Sequence, residues 1–120
     1  RRDIIERYYT AFKPRGLVTV PHFTDRHTSS GHLYLLRIPG IGVDRRNELI
    51  VQMAERGIAT NVHFKPLPMM TAYKNMGFDI ADFPNAYHQY ENEITLPLNT
   101  KLSDEDVEYI INNLLEILHE

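Results

Sequence analysis

The spacing of hydrophobic residues predicts a long helix at each end of the chain and another in its middle. In Arg1–Phe12 the apolar residues follow one another at steps of three and four, and Pro14 and Gly16 end the pattern. Asp44 is placed to cap the middle helix, and Gly57 marks its end. The buried stripe predicted for this helix consists of Leu49, Ile50, Met53 and Ala54.

Ser103 is predicted to begin the last helix, because three acidic residues follow it where the helix dipole is positive. Apolar residues then recur with helical spacing and predict one buried face. They are Val107, Ile110, Ile111, Leu114 and Leu118. Shorter helices are predicted near Met70–Asn75 and at Asn85–Asn92, within an otherwise irregular stretch.

Short β-branched or apolar runs predict four strands, which are Leu17–Val20, His32–Ile38, Ile58–Phe64 and Ile94–Leu98. The second of these is nearly all apolar, which is typical of a central strand that is buried on both faces. Pro97 assigns the last strand to an edge or to a strand end. The polar stretch His22–Gly31 between the first two strands predicts a surface loop.

The order helix, strand, strand, helix, strand, strand, helix indicates an α+β fold of two layers. Its small, mostly antiparallel sheet is packed with helices. A length of 120 residues suits one domain with one modest core, so residues 1–120 are interpreted as a single small domain.

Composition removes several classes of function. The net charge is −3 and the basic residues are scattered, so no positive surface for nucleic acid is indicated. No apolar run approaches the roughly 20 residues that span a bilayer, so no membrane segment is predicted. The chain has no cysteine, which excludes disulfides and thiolate metal sites and fits a cytoplasmic location.

Motifs for self-sufficient catalysis are missing from the sequence. The glycines of "PGIGVDRR" match neither the dinucleotide-binding nor the phosphate-loop pattern, and no serine lies in a GxSxG elbow. The four lysines are Lys13, Lys65, Lys74 and Lys101, all in polar or loop contexts rather than in a pocket that would desolvate an amine. Taken alone, the chain is catalytically incomplete.

A group of three histidines and one further histidine are candidates for function. His22, His27 and His32 recur every five residues, a spacing that suits neither a helix face nor a strand face, so solvated loop histidines are favoured over a zinc site. His63 differs, because strand alternation puts it on one polar face with Asn61 and Lys65. The prolines that follow stiffen this strand exit, where functional residues are common.

The segment "GIATNVHFKPLPMMTAY" resembles the VH[YF]xPLH segment of the DegT/StrS pyridoxal-phosphate-dependent sugar-nucleotide aminotransferases. The resemblance continues on both sides. "RRDIIERYYTAF" is similar to the family's helix that leaves the large domain, and "SSGHLYLLRI" to its HLY strand. "DRRNELIVQMAERGI" is similar to the helix before the motif, and "ITLPLNTKLSDEDVEYIINNL" to the family's closing segment. Together these matching segments cover essentially all 120 residues, in the same order as in the family.

The resemblance implies the C-terminal small domain of an enzyme with the aspartate-aminotransferase fold, which works as a homodimer. Such enzymes transfer an amino group, usually from glutamate, to a keto group of a nucleotide-linked sugar. The Schiff-base lysine and the acid that pairs with the pyridine nitrogen of pyridoxal phosphate belong to the family's large domain. The resemblance therefore implies no catalytic or cofactor-binding residue in this chain, and no bound cofactor or activity for the chain alone.

Residue by residue, the resemblance implies that His63 shapes the substrate side of the cleft. Phe64 stands where many members have tyrosine, and Pro68 replaces the second histidine of the motif. Tyr73 matches the downstream tyrosine, for which a packing role is an equal alternative. His32 matches the HLY histidine; because it begins a strand predicted to be buried, a structural role is favoured over a catalytic one.

Three alternatives stay open at this point. Some relatives of these enzymes use the cofactor for dehydration of the sugar. A free-standing α+β binding or regulatory module is a second alternative, and a metal-binding module is the third. Since the chain starts with Arg1 and already reads as helix, a fragment cut upstream of its first helix is expected.

Overall fold

The computed structural model of the protein describes residues 1–119. Its helices are α1 (Arg2–Phe12), α2 (Val43–Glu55), α3 (Thr71–Asn75), α4 (Pro84–Glu91) and α5 (Asp104–His119). The strands are β1 (Tyr34–Arg37) and β2 (Glu93–Leu96). Single 3₁₀ turns lie at Lys13–Arg15, Leu67–Met69 and Ile80–Asp82. The predicted α+β architecture is confirmed.

The centre of the sheet is the antiparallel pair β1–β2, in which Tyr34 lies opposite Leu96 and Arg37 opposite Glu93. One isolated bridge extends the sheet on each side, Val18 to Arg37 and Asn61 to Thr95. The spatial order is therefore residue 18, β1, β2, residue 61, with antiparallel neighbours throughout.

The two outer strands predicted from sequence are wrong in extent, because each makes only one bridge. Beside β1, the Thr19 hydroxyl donates to the Leu35 carbonyl at 2.9 Å, where a strand would use its main chain. Beside β2, the His63 N–H donates to the side chain of Glu93 at 3.0 Å instead of to a backbone carbonyl. Side-chain hydrogen bonds thus replace the ladder at both edges.

Helix α1 packs across the strand pair through its buried side chains Ile5, Tyr8 and Phe12. The Tyr8 ring lies 5.0 Å from that of Tyr34, and its hydroxyl donates to the Pro97 carbonyl at 2.7 Å. This contact ties the first helix to the end of β2, at opposite ends of the sequence.

Helix α2 begins at Val43, so Asp44 lies in its first turn and is not the cap that the sequence predicted. Gly57 has the expected positive φ of 80° and donates to the Ala54 carbonyl at 3.0 Å. The buried residues of α2 are Arg46, Leu49 and Met53; Ala54 is exposed and Ile50 only partly buried. A charged residue therefore occupies one position of the apolar stripe.

Helix α5 begins as predicted, with a reciprocal cap. The Asp106 N–H donates to the Ser103 hydroxyl at 3.0 Å, and the Ser103 N–H donates to the Asp106 carboxylate at 2.9 Å. Its buried residues are Val107, Ile110, Ile111, Leu114 and Ile117. Ile117 takes the place predicted for Leu118, which is only partly buried.

The stretch between the His63 region and β2 holds α3, α4 and the last two 3₁₀ turns and lies largely outside the core. Several large apolar side chains of this stretch are exposed. They are Phe64, Leu67, Met70, Tyr73, Met76, Phe78 and Phe83.

Candidate functional site

Strand β2 is buried along its whole length, although it carries two polar residues. Successive side chains of a strand point to opposite faces, so Ile94 and Leu96 share one face while Glu93 and Thr95 share the other. The sequence predicted β1 as the strand buried on both faces, but Leu35 and Arg37 of β1 are half-buried. The polar pair of β2 is therefore the unusual feature of the sheet.

Glu93 and Thr95 are joined to His63 by a chain of short hydrogen bonds. The Thr95 hydroxyl donates to Glu93 Oε1 at 2.6 Å, and Thr95 Oγ1 lies 2.7 Å from His63 Nδ1. The backbone N–H of His63 donates to Glu93 Oε2 at 3.0 Å. Both the main chain and the ring of His63 are thereby fixed to β2.

The carboxylate of Glu93 has no exposed surface, and burial raises its pKa above the usual value. Hydrogen bonds from Thr95 and from the His63 N–H, together with the electrostatic influence of His63 and Arg46, oppose this rise. Arg46 is itself only 2% exposed. Its guanidinium donates to the Tyr90 carbonyl and lies 4.6 Å from the centroid of the Tyr90 ring.

His63 is half-buried at the boundary between this polar cluster and the exposed stretch that follows. The rings of His63 and Phe64 are nearly perpendicular, with centroids 4.6 Å apart, and Phe64 is 71% exposed. The peptide bond between the two residues is cis. His63 thus links a buried carboxylate to the surface.

Tyr73 lies beside an apolar groove with a volume of about 360 Å³. The groove is lined by Pro66, Leu67, Pro68, Tyr73, Phe78, Phe83 and Ala86. Pro68, which replaces a histidine of the family motif, is thus part of an apolar wall. Within residues 1–119, no hydrogen bond or ring contact joins Tyr73 to His63 or to His32.

The prediction that His32 begins a buried strand is wrong, because β1 starts at Tyr34 and His32 is exposed. The structure does not gather the three loop histidines either. His22 stacks on Tyr34, with ring centroids 5.3 Å apart, and His27 is hydrogen-bonded to Thr24 at 2.8 Å. Among the described residues, no group of three or more His, Asp or Glu could hold a metal ion.

A covalent site for pyridoxal phosphate needs a lysine amine that is held in a desolvated pocket or near another cation. All four lysines are exposed, and Lys13 lies over the Tyr9 ring at 5.2 Å. The lysines of this chain therefore do not fit the covalent attachment of the cofactor. No helix in the described part of the chain is long and apolar enough to cross a membrane.

His63 is the site residue that the sequence predicts, and its role stays a prediction; Glu93, Thr95 and Arg46 were not predicted. The alternation of Glu93 and Thr95 immediately before "LPL" was a usable signal, since two polar residues at i and i+2 share one face of a strand. Arg46 gave no signal, because an arginine in a helix of charged residues is normally at the surface.

A sequence profile of the DegT/DnrJ/EryC1/StrS aminotransferase family matches residues 1–115. The chain belongs to this family. The structure of Spr1654 from Streptococcus pneumoniae, a candidate sugar aminotransferase, superimposes with a TM-score of 0.94 at 48% sequence identity in both its PMP and PLP forms. The match covers 98% of this chain and 30% of that one. The resemblance drawn from the motif segments is confirmed.

Curated members of the family also match nearly the whole chain with about a third of their own length. The spore coat polysaccharide biosynthesis protein SpsC of Bacillus subtilis is 37% identical over 98% of the chain and 31% of its own length. A UDP-4-amino-4,6-dideoxy-N-acetyl-beta-L-altrosamine transaminase of Helicobacter pylori is 30% identical over 97% of the chain and 31% of its own length. The chain thus spans about a third of the curated relatives that it matches.

Proposed function

We propose that this chain is the C-terminal small domain of a pyridoxal-phosphate-dependent aminotransferase. The complete enzyme transfers an amino group from glutamate to a keto group of a nucleotide-linked sugar, so that glutamate becomes 2-oxoglutarate and the ketone becomes an amine. One observation carries the proposal, the match of nearly the whole chain to about 30% of a structure known in PLP and PMP forms. The family match over residues 1–115 supports it.

In this proposal the missing two thirds supply the large domain, with the lysine and the acid that hold the cofactor. The exposed lysines of this chain support that division. The small domain contributes His63, Tyr73 and His32 to the substrate side of the cleft. The enzyme is a cytoplasmic homodimer.

The test uses the complete protein encoded by the reading frame that contains this sequence. We expect the visible absorbance of protein-bound pyridoxal phosphate, and glutamate-dependent conversion of a keto nucleotide sugar to its amino derivative, followed by mass spectrometry. The 120-residue chain alone is the control, and it is expected to show neither the absorbance nor the conversion.

Two outcomes would replace the proposal. Loss of a sugar hydroxyl without gain of nitrogen would indicate a dehydratase of the same family. A natural start codon just before Arg1, with no large domain encoded upstream, would support a free-standing binding or regulatory module.

A further inference from the structure

We propose that Glu93 and Thr95 are positioning residues that hold the ring proton of His63 on Nδ1, so that Nε2 meets the ligand as a hydrogen-bond acceptor. The identity of that ligand, the hydroxyl-rich sugar of a nucleotide sugar, rests on the proposed function. The assignment of the ring proton does not, because it follows from hydrogen bonds within this chain.

The direction of the hydrogen bonds follows from counting protons. An ionised carboxylate only accepts, whereas a hydroxyl has one proton to donate. The hydroxyl proton of Thr95 is used at Glu93 Oε1, 2.6 Å away, so Thr95 Oγ1 faces His63 Nδ1 only as an acceptor. The proton between Oγ1 and Nδ1 therefore belongs to the ring of His63.

Burial raises the pKa of Glu93, but the groups that face it oppose this rise and favour the ionised form, on which the direction of these hydrogen bonds depends. The Thr95 hydroxyl and the His63 N–H donate to its two oxygens, and the positive charge of Arg46 lies nearby. With an ionised carboxylate as the last acceptor, the hydrogen bonds are donated in one direction. The His63 ring donates to Thr95, and Thr95 donates to Glu93.

A neutral imidazole carries one N–H, so a proton on Nδ1 leaves a lone pair on Nε2. Nε2 of His63 has no hydrogen-bond partner among residues 1–119, and it is not among their buried unsatisfied atoms. A ligand at this nitrogen must therefore bring a donor, such as a sugar hydroxyl. A carbonyl or phosphate oxygen would meet a lone pair there instead.

The loop pair Thr24–His27 provides a matched contrast within the same chain. Thr24 Oγ1 accepts from the backbone N–H groups of Arg26 and His27, both at 3.1 Å. Its hydroxyl proton is then available for His27 Nδ1 at 2.8 Å. The same two residue types thus predict the opposite tautomer, with the ring proton of His27 on Nε2.

The decisive variant is Glu93→Gln, which keeps the shape of the side chain. The backbone N–H of His63 needs an acceptor, so the amide oxygen takes the position of Oε2 and the NH₂ group faces Thr95. This NH₂ group donates to Thr95 Oγ1, whose own proton must then turn to His63 Nδ1. The ring proton of His63 moves to Nε2.

The measurement is nitrogen NMR of the full 120-residue chain labelled at histidine, since a protonated ring nitrogen resonates upfield of an unprotonated one. In the wild-type chain we expect Nδ1 of His63 upfield and Nε2 downfield, and the reverse order in Glu93→Gln. Thr95→Ser keeps the wild-type order, whereas Thr95→Val removes the fixed order. His27 keeps its pattern in all four proteins.

A wild-type His63 with its proton on Nε2, or an unchanged order in a folded Glu93→Gln, would overturn the proposal. The wild-type spectrum alone shows which ring nitrogen of His63 carries the proton. The proposal can therefore be tested even if the variant does not fold.

In the complete protein, Glu93→Gln is expected to raise KM for the sugar substrate about tenfold, the worth of one hydrogen bond. Thr24→Val, at the matched loop pair, leaves KM unchanged. If no aminotransferase activity is found, the proposed function fails while the tautomer result stands.

Discussion

Glu93 is an acid without exposed surface in the middle of a protein of 120 residues, and its neighbours explain how the fold accommodates it. Burying an unpaired carboxylate costs several kcal/mol. Here the cost is offset by two hydrogen bonds and by the nearby guanidinium of Arg46. The cost that remains is still visible as a raised pKa. A charge held in this way is typical of functional sites.

The first prediction concerns the ring of His63 itself. In the complete enzyme proposed above, His63→Ala is expected to raise KM or lower kcat, by about tenfold if one substrate hydrogen bond is lost. The melting temperature should change little, because the ring is half-buried and outside the hydrophobic core. Steady-state kinetics and thermal unfolding provide the two measurements.

His27→Ala is the matched control, since His27 is an exposed loop histidine that is also bonded to a threonine. It should leave both kinetics and stability at wild-type values. Wild-type kinetics combined with a collapsed melting temperature for His63→Ala would instead assign His63 a purely structural role.

At the scale of elements, β2 organises the fold. It pairs with β1 and bridges to Asn61, and the carbonyl of Pro97 just after it accepts the hydroxyl hydrogen bond of Tyr8. The two faces of β2 contact different surroundings. The Ile94 and Leu96 face packs in the hydrophobic core, and the Glu93 and Thr95 face is hydrogen-bonded to His63. Helix α5 closes the other side of the core through its apolar face. Arg7 of α1 anchors the start of α5 by ion pairs with Asp104 and Glu108.

The second prediction concerns the start of α5. Ser103→Ala removes the hydroxyl that accepts the Asp106 N–H, and it is expected to lower the free energy of unfolding by about 1 kcal/mol. Urea unfolding followed by circular dichroism measures the change. Ser30→Ala, in an exposed loop, is the control and should stay near the wild-type value. An equal loss in both variants would mean that the cap contributes nothing specific.

At the scale of the whole molecule, the buried acid links stability to pH. Burial raises the pKa of Glu93 above its usual 4.5, so the folded state binds its proton more tightly than the unfolded state. The resulting stabilisation is fully present below pH 4.5 and is lost as the pH rises through the folded-state pKa. Glu93→Gln cannot ionise and has no such loss.

The third prediction follows from this loss of stability with rising pH. The free energy of unfolding of Glu93→Gln, relative to wild type, should increase as the pH rises above 4.5. The slope is at most about 1.4 kcal/mol per pH unit, which is the effect of one proton. Urea unfolding of both proteins at pH values below and above this point measures the difference. A difference that stays constant with pH, or decreases, would contradict the raised pKa.

The segment from Phe64 to Phe83 exposes several large apolar side chains on the surface of the molecule. Contiguous exposed apolar surface usually marks an interface. The chain spans about a third of its relatives' length, so the complete enzyme proposed above would have room for such a contact. Pattern analysis of the sequence described this stretch as irregular with short helices, which the structure bears out at α3 and α4.

Helices α1, α2 and α5, the α+β class and the family could be predicted from the sequence, whereas the role that it suggests for His63 stays a prediction. These follow from local spacing, from the cap at Ser103 and the glycine at residue 57, and from contiguous motif segments, all of which can be read along the chain. The extent of the outer strands depends on tertiary contacts, since the side chains of Thr19 and Glu93 take the place of main-chain partners at these edges. Likewise, Arg46 and Glu93 are far apart in sequence, and only packing brings these two buried residues near each other beside the half-buried His63. The physical reason is that periodicity reports which face of an element is apolar, whereas hydrogen bonds between elements depend on register, which the fold as a whole sets.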